Sequence, residues 1–145
     1  MNPKQAFRAL SRNSHKKRDV LEQTISQDAE FSNDYARYVI EGRFELGEEA
    51  ISQSAIWSYQ YAHDVIQGRW ELGEAAISTS AYYSYHYAVE IIGGRLPDTM
   101  HRKMLAFGII DSSDRYVKRY LDYIGSKKYC TLKRKDTKNE SRTSV

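Results

Sequence analysis

The chain has 145 residues, of which 41% are hydrophobic and 28% charged, and its net charge is +3. That fits one domain large enough to bury a core, while its apolar runs are far too short to cross a membrane as a helix. Its single cysteine, Cys130, excludes an intrachain disulfide and any cysteine-based zinc site.

The modest net charge hides a division. Residues 1–18 carry six basic groups (Lys4, Arg8, Arg12, Lys16, Lys17, Arg18) and no acid. Residues 126–145 carry seven basic groups against Asp136 and Glu140, and the stretch 19–125 nets −8. An acidic body with two basic ends differs from a DNA-binding domain, whose basic groups line one folded face. Like-charge blocks are usually solvated, so 1–18 is expected as a basic segment or cap and 126–145 as a flexible, disordered tail. The first residues also lack the apolar core of a secretory signal, which makes the cytoplasm the expected compartment.

From Ile25 onward the chain repeats itself. "ISQDAEFSNDYARYVIEGR" (25–43), "ISQSAIWSYQYAHDVIQGR" (51–69) and "ISTSAYYSYHYAVEIIGGR" (77–95) align without gaps at a shift of 26 residues. A degraded fourth copy, "SDRYVKRYLDYIG" (113–125), follows an insertion of seven, with Tyr120 answering Tyr87 and Ile124 answering Ile91. Lys16 to Ile25 supplies the front half of the first copy.

Each unit reads as two helices. The short one carries "GEEAIS" or "GEAAIS". The long one begins at an N-cap residue type, Asp28, Ser54 or Ser80. It ends at Gly42, Gly68 or Gly94, where a left-handed glycine would close it. Long helices are therefore expected at about 28–41, 54–67 and 80–93. Positions that stay constant between copies (Ala29, Ser32, Tyr35, Ala36, Val39, Ile40 and their counterparts) recur at spacings of three and four, which places them on one helical stripe. One two-helix unit cannot bury that stripe alone, so units must stack. The expected fold is all-α: a short α-solenoid of 26-residue two-helix repeats over 19–125, with helical caps. After Arg95 the connector motif breaks at Pro97 and Asp98, and capping helices are expected at about 99–110 and 113–124.

The connector "GR[FW]ELGE" then has a structural job. Phe44 or Trp70 covers the seam between units, Leu46 or Leu72 anchors the loop, and Gly47 or Gly73 permits a turn. Glu48 and Glu74 start the next helix, where negative charge is favoured. Arg43, Arg69 and Arg95 lie near helix C-termini and can form a ladder with those glutamates. A phosphate-binding arginine row is the alternative, but the surrounding glutamates oppose it.

Tyr-Ala-x-x-Val-Ile-x-Gly-Arg-[Phe/Trp]-Glu-Leu-Gly-Glu-x-Ala-Ile-Ser, matched at 35–52 and 61–78 and in truncated form at 87–95, resembles a tandem repeat of phage-encoded and other mobile proteins. The resemblance covers about half the chain and brings no catalytic residues. It implies a phage setting, hence the host cytoplasm, and a role in redirecting or blocking host proteins.

Function is sought where the copies differ. The variable positions are Glu30/Ile56/Tyr82, Asn33/Tyr59/Tyr85, Asp34/Gln60/His86, Arg37/His63/Val89 and Tyr38/Asp64/Glu90. They are expected on the face opposite the constant stripe. The second and third copies make that face apolar and aromatic, which marks Ile56, Tyr59, His63, Tyr82, Tyr85, His86 and Val89 as a partner-binding set. The same groups could instead pack on neighbouring helices. No metal, phosphate-loop or nucleophile signature occurs, so neither an enzyme nor a cofactor is expected. The leading expectation is a protein-binding module, such as a phage inhibitor or modulator of a host protein or defence system. The alternative is a nucleic-acid binder that uses Lys16, Lys17, Arg18, Lys127, Lys128, Lys133, Arg134 and Lys135, with tyrosines stacking on single-stranded bases. An open solenoid can also continue through a second copy, so a homo-oligomer is a third expectation.

Overall fold

A computed structural model describes residues 1–11 and 18–126. Lys16, Lys17 and the whole stretch 127–145, with its expected disorder and its candidate lysines and arginine, lie outside the described residues. Within them every regular element is helical. In chain order these are α1 (Pro3–Ser11), α2 (Arg18–Ile25), α3 (Ala29–Tyr35), α4 (Glu48–Ile51), α5 (Ala55–Gln60), α6 (Glu71–Ile77), α7 (Ala81–His86), α8 (Asp98–Ile110) and α9, which covers 115–126. A 3-10 turn, Glu45–Gly47, leads into α4.

The three long helices are not α-helical throughout. Each changes to a wider π-type turn over its second half, at Ala36–Ile40, Tyr61–Ile66 and Tyr87–Ile92. The carbonyl of Ala36 accepts from the N–H groups of both Glu41 and Gly42, and Ala62 and Ala88 do the same in their units. This wider closure moves the left-handed residue. It is Glu41 (φ 55°), Gln67 (φ 55°) and Gly93 (φ 72°), not Gly42, Gly68 and Gly94 as the glycine rule predicts. Glu41 and Gln67 are exposed non-glycine residues held in a conformation that costs an L-residue about 1 kcal/mol or more; the third unit relieves that with Gly93.

The N-termini follow the expectation more closely. Asp28 accepts from Phe31 N–H and Ser80 from Tyr83 N–H. Ser54 has the same extended backbone without a side-chain cap bond. The final helix starts two residues later than predicted, because Asp114 supplies its cap to Tyr116 and Val117 N–H.

The constant stripe forms the core. Ser32, Ser58, Tyr35, Tyr61, Tyr87, Ala36, Ala62 and Ala88 are fully buried, together with Ile25, Ile51 and Ile77. Each buried serine donates to the carbonyl of the isoleucine seven residues before it: Ser32 to Ile25, Ser58 to Ile51, Ser84 to Ile77. That bond ties the long helix of a unit to the end of its short helix. At the front, α1 packs on α2 and α3 and buries Ala6 and Leu10. At the back, α8 packs on α7 and buries Met100 and Met104.

A second set of bonds ties each long helix to the segment that leads into its own short helix. The Tyr61 hydroxyl accepts from Phe44 N–H (2.9 Å) and donates to Glu48 (2.9 Å), while Arg43 grips the same carboxylate through two nitrogens at 2.8 and 2.9 Å. Twenty-six residues on, Tyr87 accepts from Trp70 N–H and donates to Glu74, which Arg69 holds in turn. In the first unit Tyr35 donates to Glu22 at 2.6 Å and Arg18 bridges both. In the last, Tyr120 accepts from Leu96 N–H, which leaves its proton for Nδ1 of His101 at 2.6 Å. Burial and nearby Arg95 hold the His101 ring below its ordinary value, consistent with a neutral acceptor. The arginines thus close on acids inside their own connectors instead of forming a ladder along the array; Arg95 pairs with Asp98.

Phe44 and Trp70 seal the seams, at 4% and 5% exposure, with Tyr35 edge-on to Phe44 at 5.0 Å and Tyr61 tilted on Trp70 at 4.8 Å. Leu46 and Leu72 do not anchor the loops; they are 52% and 54% exposed, because the aromatic and the backbone bonds already fix the connector. Gly47 and Gly73 serve close approach. A Cβ on Gly73 would lie 2.5 Å from the Trp70 ring and 2.9 Å from Ser58. Gly73→Ala is therefore expected to cost about 1–3 kcal/mol. Gly68→Ala, whose Cβ meets nothing within 4 Å, should be neutral or slightly stabilising. Denaturant unfolding of the two variants checks this; equal losses would contradict the assignment of space to Gly73.

Candidate functional site

Side chains from two units and the last helix meet along one face. Tyr82, 43% exposed, is edge-on to Tyr83 (4.9 Å) and to Tyr116 of α9 (5.0 Å), and lies 4.5 Å from the His86 ring. Tyr85 adjoins His86 and Tyr116 at 5.1 and 6.0 Å. Tyr59 reaches across from α5 to Tyr83 at 5.7 Å and stacks on His63 at 5.9 Å. These centroid distances lie within the range of favourable ring pairs. The result is an unbroken run of rings from His63 to Tyr116.

Of the seven residues expected here, the structure brings Tyr59, His63, Tyr82, Tyr85 and His86 into this run. Ile56 is 37% exposed and makes none of the ring contacts, and Val89 is half-buried. The variable face combines the two alternatives, packing and exposure. Tyr59, Tyr85 and His86 are half-buried against their neighbours, and Asn33, the first-copy counterpart of Tyr59, is completely buried. Packing and exposure thus share the face, with Tyr82, His63 and Ile56 the open members.

A polar cluster adjoins the rings. The Tyr59 hydroxyl donates to Glu90 at 2.6 Å, and His86 Nδ1 meets the other Glu90 oxygen at 2.6 Å. His63 Nδ1 lies 2.7 Å from Asp64, which Arg37 of the first unit also holds at 2.8 Å. The Tyr59 bond keeps the Glu90 carboxyl below its ordinary value; partial burial opposes this, and His86 and His63 reinforce it. Burial, and then the Glu90 charge, push the Tyr59 phenol up. Tyr59 is accordingly a support of the face as much as a contact on it.

Beyond the acids, the far edge of the run is cationic. Arg115 sits 4.8 Å from the Tyr116 ring centroid and donates to its hydroxyl at 2.8 Å, and Arg119 lies 5.9 Å from the same ring. The variable-position comparison misses Tyr83, Tyr116, Arg115 and Arg119. A signal for the two tyrosines exists. Phe31, Trp57 and Tyr83 are 26 residues apart, and adding the seven-residue insertion lands on Tyr116. Every unit therefore places an aromatic at this position.

Of the nucleic-acid set, only Arg18 is described, and it is committed to Glu22 and Tyr35. Among the described residues no group of three or more His, Cys, Asp or Glu side chains could hold a metal ion. No described helix is long and apolar enough to cross a membrane. Compared with known proteins, the chain matches no family model, no curated protein and no solved structure.

Replacing Tyr59 by Phe should let the Glu90 carboxyl rise toward its ordinary value of 4.5 without loss of helicity. Glu90 contributes stability that is complete above its unfolded value of 4.5 and is lost as pH falls through its depressed folded value, so in the variant this acid-labile contribution should shrink and its loss should end at higher pH. Carboxyl titration by NMR checks this, and an unmoved Glu90 would contradict the bond.

Proposed function

We propose that the chain is a non-catalytic protein-binding module, a short α-solenoid of 26-residue units that presents one aromatic face to a protein partner. The continuous run from His63 through Tyr59, Tyr83, Tyr82, His86 and Tyr85 to Tyr116 carries this reading, because it joins residues of two units and the last helix on one surface. Tyrosine contributes large, rigid contact area at low entropic cost and is enriched among the residues that dominate binding energy. The repeat unit's resemblance to phage-encoded proteins makes an inhibitor or modulator of a host protein the specific form of the proposal, acting in the host cytoplasm.

Arg115 and Arg119 beside Tyr116 favour one second reading. Guanidinium groups flanking an aromatic ring suit single-stranded nucleic acid, whose bases stack and whose phosphates seek positive charge. Glu90 and Asp64 within the same face oppose it.

Affinity capture with the full chain and with a Tyr82→Ala/Tyr85→Ala variant distinguishes the two. Tyr59 is left in place because it supports Glu90. The double variant should keep its helicity and lose about 2 kcal/mol of affinity or more, roughly thirtyfold. Capture that survives both changes would overturn the face, and capture abolished by nuclease would favour nucleic acid.

A further inference from the structure

One repeated letter of the connector has no task inside the chain. Arg43, Phe44, Gly47 and Glu48, and their counterparts 26 residues on, are all used in bonds or close packing. Leu46 and Leu72 are equally constant, yet each is more than half exposed. Val20 stands one repeat earlier and is 62% exposed. No other position of these three units is large, apolar and exposed in every copy; the nearest case, Glu30/Ile56/Tyr82, is acidic in the first.

A single exposed aliphatic residue is ordinary. Three at one repeat position form a row. The long helices α3, α5 and α7 pack in sequence, and α2 packs against the Glu45–Gly47 turn, so equivalent positions follow one another along one side of the protein. That side belongs to the short helices and their lead-in turns. The aromatic run lies instead on the long helices and α9, so the two surfaces share no residue.

Charge identifies what fits. An exposed acid stands immediately before each member of the row: Asp19, Glu45 and Glu71. Glu49, also exposed, lies one turn beyond Leu46. The neighbouring arginines do not neutralise these acids, because Arg18, Arg43 and Arg69 close on Glu22, Glu48 and Glu74 at 2.8, 2.8 and 2.7 Å. Among the described residues Asp19, Glu45 and Glu49 enter no ion pair, and Glu71 meets Arg69 only at 3.5 Å. Lys103 reaches this side from α8, where it donates to Ser78 at the end of α6. An aliphatic row bordered by acids repels nucleic acid and anionic lipid, and it complements a partner that is apolar and basic. Spacing gives that partner a form. Packed helices lie about 8–10 Å apart, and residues seven apart on a helix are separated by about 10 Å. A helix laid along the row therefore sets one aliphatic side chain beside each of Val20, Leu46 and Leu72, with its lysines or arginines toward the acids. We infer that the short-helix side binds a basic amphipathic helix of a protein partner, with Leu46 and Leu72 at the centre of the contact and the acids at its border. The inference does not depend on the protein-binding reading of the aromatic face.

A fluorescein-labelled helical peptide with leucine at every seventh position and lysines beside each leucine, titrated with the full chain and followed by anisotropy, tests it. Binding should be saturable. Leu46→Gln/Leu72→Gln should weaken it about thirtyfold or more with helicity unchanged, since both side chains are largely exposed. Glu45→Gln/Glu71→Gln should weaken it about fivefold. Tyr82→Ala/Tyr85→Ala should leave it unchanged, which separates this surface from the aromatic one. Absence of binding, binding indifferent to the leucine variant, or equal binding of a peptide with glutamate in place of lysine would overturn the inference. Binding lost with the tyrosine variant would overturn it too, by moving the peptide to the aromatic face. Binding that appears only after deletion of 127–145 would do the same, because the chain's own basic segment would then be the occupant.

Discussion

Every unit of this protein depends on the hydroxyl of one buried tyrosine. A phenol can fill a core with its ring, accept from a backbone N–H and donate to a carboxylate at once. Tyr61 and Tyr87 do all three, and each does so against the connector that leads into its own short helix. Phenylalanine would keep the ring contacts and strand a buried N–H and a mostly buried glutamate. Losing one such partner costs about 1–3 kcal/mol. Glu48 is only 7% exposed, and a carboxylate so placed is tolerable because Arg43 and Tyr61 together satisfy it. The arginine, the glutamate and the tyrosine therefore form one device, repeated at the same spacing. That is the physical reason the connector is written twice in nearly the same letters.

Much of that device was legible without coordinates. The 26-residue shift isolates the positions that stay constant, and three of them are the buried ones: the serine that ties each long helix to its isoleucine, the clasping tyrosine and the small alanine after it, while Val39, Ile40 and their counterparts are half-buried. The fourth copy was legible for the same reason, since Tyr120 occupies the place of Tyr87 and takes the same kind of backbone bond. What the letters did not reveal depends on geometry. The glycine rule presumes a helix that stays α-helical to its end, and the π-type turns displace the left-handed residue onto Glu41 and Gln67. Leu46 and Leu72 look like anchors by hydrophobicity, but a loop already held by a ring and two bonded side chains does not bury them. Gly47 and Gly73 read as turn residues, whereas each leaves room for a serine and an aromatic ring.

The aromatic face shows where comparison between copies loses power. Positions that vary could lie free or pack on neighbouring helices, and Tyr59, Tyr85 and His86 are partly consumed in joining one unit to the next. Asn33 and Arg37 show that the first unit meets its neighbour by different chemistry, since Arg37 pairs with Asp64 where Tyr59 bonds Glu90 in the following unit. Variation therefore marks changing contacts between units as well as surface open to a partner. Tyr82 and His63 are the members in which exposure outweighs packing. Tyr116 joins them from a helix that only the shifted register connects to the repeat.

The measurement closest to the central claim is an alkaline titration followed by tyrosinate absorbance and helical circular dichroism together. Burial, and for Tyr35, Tyr61 and Tyr87 the bonded glutamate as well, make ionisation harder in the folded chain. Tyr35 is pushed up to about 12, and Tyr61, Tyr87 and Tyr120 are raised too. A phenol held neutral in this way contributes stability that is complete below pH 10 and is lost as pH climbs through its folded value. The account predicts that a late group of tyrosines ionises only above pH 11, in step with cooperative loss of helix. Ionisation of every tyrosine near pH 10 with the helical signal intact would contradict it.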